Sequence, residues 1–72
     1  MPSPLGEFIK TGRQFRSWTQ TRLADETGVT RTTVARWESG AIVPPMRTLA
    51  AIREAIGWDD EQWTKALTLV TR

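Results

Sequence analysis

The sequence predicts an all-α fold, a compact set of five short helices, on three observations. Apolar residues recur three and four positions apart along most of the chain, which is the spacing of one helix face. Glycines stand at 28, 40 and 57, just past such stretches, where a residue free to take positive φ closes a helix. Ser3, Thr19, Thr30 and Asp59 precede four of the stretches, placed to accept from the orphan amides of a first turn.

Each helix follows from its own residues. Ser3 caps the first, with Pro4 at the favoured first position, and Leu5, Phe8, Ile9 and Gly12 follow at helical spacing to an end near Arg16. Thr19 opens the second, in which Leu23, Ala24 and Thr27 share one side before Gly28. Thr30 caps a third over about residues 31–39, with Val34 and Trp37 as its buried stripe and Gly40 as its stop. A loop over residues 41–45 leads to the fourth, striped by Leu49, Ile52, Ala55 and Ile56 and ended by Gly57. Asp59 and Gln62 form a capping box for the fifth, Asp60 and Glu61 suit its dipole, and Trp63, Ala66, Leu67 and Val70 make its apolar side.

Length and composition limit what such a fold does. A chain of 72 residues is read as one domain over 1–72, without linker or repeat. A domain of this size buries only about 60% of its unfolded surface, so the four tryptophans are expected mainly in the core. Cysteine and histidine are absent, which excludes disulfides, thiolate chemistry and the usual zinc sets; no cofactor or metal is expected. Nothing converges on a catalytic site, and the reading is non-enzymatic. Neither an apolar span nor a signal-peptide core is visible, so the expected location is the cytoplasm, with no membrane partner.

Net charge is only +2, but its sign is unevenly placed. Lys10, Arg13, Arg16, Arg22, Arg31, Arg36 and Arg47 precede residue 50, against Glu7, Asp25, Glu26 and Glu38, while Asp59, Asp60 and Glu61 cluster later. A basic face with acid kept elsewhere suits a polyanion.

Residues 19–40 give that polyanion a reader. Helix, short glycine-containing turn, helix is the helix-turn-helix pattern. On the second of these helices Thr32 and Arg36 point away from the Val34–Trp37 stripe, and Arg31 reaches forward from the first turn. Arg31, Thr32, Thr33 and Arg36 are therefore the candidate base contacts. Arginine presents paired donors to guanine in the major groove, and threonine offers a hydroxyl or a methyl. An Arg- and Thr-rich helix face is more often simply solvated, and the motif around it tips the reading to DNA. Thr33, flanking the stripe, is equally placed to touch a phosphate or nothing.

The pattern resembles the Cro/phage-repressor (XRE-like) helix-turn-helix family. The matching residues are Thr19-Gln20, Leu23-Ala24, Gly28-Val29, Thr30-Arg31, Val34, Trp37-Glu38, Gly40, Pro44 and Thr48-Leu49. Leu5, Ile9, Arg13 and Gly57 match outside the motif, so the likeness covers nearly the whole chain. It implies a lambda-repressor-like domain in which Gln20 contacts the DNA backbone, helped by the helix amides beside it. Thr19, Arg22 and Arg13 are further backbone candidates. The family also implies that Arg13 pairs with Glu38, tying the first helix to the end of the third.

Two departures from the family matter. Gly12 replaces a usual leucine, leaving space for Phe8 or Phe15 to fill or for another helix to approach. The loop after Gly40, often basic in the family, is Ala41, Ile42 and Val43, which suits a subunit or partner contact more than a phosphate grip.

The expected function is sequence-specific binding of double-stranded DNA as a transcriptional regulator, a repressor acting by occupancy. One small module makes few contacts, so a homodimer on a palindromic operator is expected, with half-sites ~34 Å apart. Ile42, Val43, Trp63, Leu67, Leu69 and Val70 are the candidate dimer or partner interface, and Trp58 is a further residue open to sharing. No inducer pocket or protease-like domain is expected in 72 residues, so control is expected to come from concentration or a protein partner. The alternative is a protein-interaction module of antitoxin or anti-repressor type using the same fold. RNA binding is disfavoured because it wants exposed stacking aromatics.

Overall fold

A computed structural model describes residues 3–70. It contains five helices in the expected order: α1 Pro4–Phe15, α2 Gln20–Thr27, α3 Arg31–Ser39, α4 Met46–Ile56 and α5 Asp60–Val70. The caps form where the sequence places them. Ser3 Oγ accepts from the Gly6 amide at 2.8 Å, Thr19 Oγ1 from Arg22 at 3.1 Å and Thr30 Oγ1 from Thr33 at 3.2 Å. Asp59 and Gln62 close their capping box with both reciprocal bonds, at 2.8 and 2.9 Å. Gly28, Gly40 and Gly57 all take the left-handed conformation at helix ends. α4 alone starts on Pro45, without a side-chain cap.

One face of every helix contributes to a single core. Leu5, Ile9, Leu23, Ala24, Val34, Trp37, Leu49, Ile52, Ile56, Trp58 and Ala66 are buried together. α1 lies across the C-terminal end of α3 at very short range. A Cβ at Gly6 would stand 2.5 Å from the Trp37 and Glu38 carbonyl oxygens, so only glycine permits this crossing.

Gly12 serves a second close approach, on the other side of α1. A Cβ there would stand 3.0 Å from Ile56 Cγ2 and from Trp58 Nε1. Of the two phenylalanines offered for this space, Phe8 packs on Trp58 with ring centroids 4.9 Å apart. Phe15 does not fill it: its side chain is 80% exposed, because it is the last residue of α1 and turns away from the core. The tryptophans divide as well. Trp37 and Trp58 are buried, whereas Trp18 and Trp63 are half-buried at the edge of the core.

Candidate nucleic-acid interface

α3 is held by its inward side and presents its outward side. Val34, Trp37 and Glu38 are buried, and Arg31, Thr32 and Arg36 are exposed. Val34 and Trp37 fix the helix rotation by burying apolar surface, so the polar residues four apart at 32 and 36 must face solvent. Arg36 makes no hydrogen bond or ion pair through its side chain among the described residues, leaving its guanidinium for an external acceptor. Thr33 is half-buried, and its hydroxyl meets that of Thr30 at 3.0 Å. That bond belongs to the helix cap, so Thr33 is the least available of the four.

Glu38 anchors the far end of the same helix. Arg13 Nε donates to Glu38 Oε2 at 2.6 Å and Nη2 to Oε1 at 3.0 Å, while Nη1 donates to the Trp18 carbonyl at 2.7 Å. The pair is nearly sealed, with side chains 10% and 5% exposed. The pairing implied by the family resemblance is present. Arg13 as a phosphate contact is a different matter: its fork is committed inside the protein, and it sits below the surface rather than on it.

Gln20 extends this network to the reading end of α3. Its Nε2 donates to Glu38 Oε1 at 3.1 Å, and its Oε1 accepts from Arg31 Nη1 at 3.3 Å. Arg13, Glu38, Gln20 and Arg31 thus form one continuous chain of side-chain hydrogen bonds. The sequence singled out all four residues but not the Gln20–Arg31 link, because their relative placement depends on how the α2–α3 turn folds. Gln20 and Thr19 lie at the start of α2, whose first-turn amides face the same end.

The other basic residues are distributed unevenly. Arg22 is exposed, pairs with Glu26 at 2.9 Å and lies 4.7 Å above the Trp18 ring. Arg16 bonds the Ile56 carbonyl at 2.9 Å and also stacks on Trp18, at 4.9 Å. Arg53 is tied to Asp60 at 2.6 Å. Exposed surface ion pairs of this kind are weak, so Arg22 is exchangeable toward a phosphate at little cost.

Of the interface candidates, Ile42 and Val43 are exposed, at 41% and 58%, and Met46 beside them is 56% exposed. Trp63, Leu67, Leu69 and Val70 are instead half-buried against this chain's own core. No group of three or more metal-ligating acids occurs among the described residues, and none of the described helices is long and apolar enough to cross a membrane.

A short α2, a glycine-closed turn and a second helix with a locked inner side and an open basic outer side define the class: a helix-turn-helix domain. The chain belongs to the helix-turn-helix domain family, whose model matches residues 4–64. Among solved structures, the clp gene regulator ClgR from C. glutamicum has the same fold, with a TM-score of 0.77 and 21% identity. That match covers 93% of this chain and 83% of the other. No curated protein matches the sequence.

Proposed function

We propose that this domain binds double-stranded DNA in a sequence-specific manner and regulates transcription, as a repressor acting by occupancy. The observation that carries the reading is the exposed, unpaired Arg36 on a helix whose opposite side is locked into the core. Arg31, Thr32 and Arg36 read base edges in the major groove, with Thr33 at the margin. Gln20, Thr19 and Arg22 meet the phosphate backbone beside the α2 amides. Family membership and the likeness to a gene regulator support DNA-binding regulation.

A single module of this size makes few base contacts, so the active form is a homodimer on two half-sites about one helical turn apart, ~34 Å. Ile42, Val43 and Met46 give it an exposed aliphatic surface just past the recognition helix. The same surface is what an antitoxin-like or anti-repressor-like module would use to hold a protein partner. Two substitutions separate these readings. In the DNA reader, Arg36→Ala abolishes sequence-selective binding. If Arg36→Ala is without effect while Ile42→Asp removes activity, the domain is a partner-binding module and the DNA reading fails.

A further inference from the structure

On the side of α1 away from the recognition helix, a groove of about 560 Å³ opens between α1, the end of α4 and the start of α5. Its lining includes Phe8, Gly12, Phe15, Arg16, Trp58 and Gln62, and none of its lining residues comes from α2 or α3. The volume falls in the range of small-molecule sites, ~300–1,000 Å³. It is open rather than enclosed.

Three features of this groove point to one ligand chemistry. The first is the absent side chain at Gly12, which leaves the Trp58 indole edge uncovered. Its Nε1–H donates to no group among the described residues and reaches solvent at the groove, since no buried side-chain nitrogen or oxygen among them lacks a partner. The second is the polar lining. Arg16 uses Nη1 on the Ile56 carbonyl and has further N–H groups to give, and Gln62 spends its Oε1 on the Asp59 amide, leaving its NH2 free. No lining residue is acidic. The third is the apolar lining, which is largely aromatic: Phe8 and Trp58 in contact, and Phe15 standing exposed at the rim. Rings of this kind accept another flat ring in offset or tilted stacking.

We propose that this groove is a binding site for small aromatic carboxylates. The ring lies between Phe15 and the Phe8–Trp58 pair. The carboxylate accepts from Arg16 and Gln62, and the solvent-facing Trp58 N–H is within the groove to donate to it as well. Because the recognition helix contributes nothing to the lining, such a ligand and DNA occupy the domain together.

The test is a titration of the isotopically labelled full chain with phenylacetate, followed through the four tryptophan indole N–H resonances. 2-Phenylethanol serves as the uncharged comparison. A site built this way gives a saturable shift at Trp58 above all, with Kd on the order of 1 mM for so small a ligand. The alcohol binds roughly fivefold more weakly, the difference between a charge-assisted and a neutral hydrogen bond. Arg16→Gln brings the acid down to the level of the alcohol. Phe15→Ala, at an exposed position that leaves the fold intact, weakens both ligands. No saturable shift at Trp58, equal affinity for acid and alcohol, or insensitivity to Phe15→Ala overturns the proposal. A Trp58 shift that depends on protein concentration without ligand also overturns it, since the groove then holds Phe15 of a second copy.

Discussion

Arg13 and Glu38, twenty-five residues apart, are joined by two hydrogen bonds of 2.6 and 3.0 Å in a pair almost closed to water. The pair fixes the C-terminal end of the recognition helix to α1, and Gln20 carries the same network to Arg31 at its start. The reading helix is therefore set at both ends by one polar chain, independently of any DNA.

Removing one partner of that pair leaves the other charged and buried. Glu38→Ala is predicted to destabilise the domain by roughly 3–5 kcal/mol, a large share of what a domain this small has. Denaturant unfolding followed by helix signal measures it, and a midpoint equal to that of the parent chain contradicts a structural role for the pair.

Gly6 has a different cost. Any side chain there meets the Trp37 and Glu38 carbonyls at 2.5 Å, and backbone cannot step aside as a flexible side chain can. Gly6→Ala is predicted to lose about 1–3 kcal/mol, despite alanine's better helix propensity. A gain in thermal midpoint would contradict the close crossing of α1 over α3.

The Gln20–Arg31 bond makes a prediction about coupling rather than loss. If Gln20 sets the direction of Arg31, the effects of Gln20→Ala and Arg31→Ala on DNA affinity are non-additive by about 0.5–3 kcal/mol. Strict additivity in the double-mutant cycle shows that Gln20 acts on phosphate alone.

Much of this was legible in the sequence, and the reasons are local. Caps and glycine stops act within three residues of one another, so Ser3, Thr19, Thr30, Asp59 and the glycines at 28, 40 and 57 located the helices nearly to the residue. The Arg13–Glu38 pair was legible only through family resemblance, since nothing local joins positions so far apart. The tertiary demands on single residues were not legible. Gly6 looks like an indifferent first-turn glycine until α3 is laid against it. Phe15 looks like core by composition and is exposed, because a helix's last residue faces wherever the chain turns. The Trp63–Leu67–Val70 stripe is apolar as expected, and it packs against this chain's own core.

The exposed Ile42 and Val43 predict an effect of concentration. If they form the dimer surface, Ile42→Asp leaves the monomer's unfolding free energy within about 0.5 kcal/mol of the parent and shifts the chain to monomer. Sedimentation across a concentration series decides it, and an unchanged dimer moves the interface elsewhere.

The most direct measurement for DNA reading by α3 is selection of bound duplexes from a random library, with Arg36→Ala run in parallel. The account predicts an enriched palindrome for the parent chain. It predicts loss of that enrichment in the variant, with a cost of about 1–3 kcal/mol at the guanine that Arg36 reads. No enriched sequence even at low salt, where phosphate attraction is strongest, or the same motif in both proteins, would contradict it.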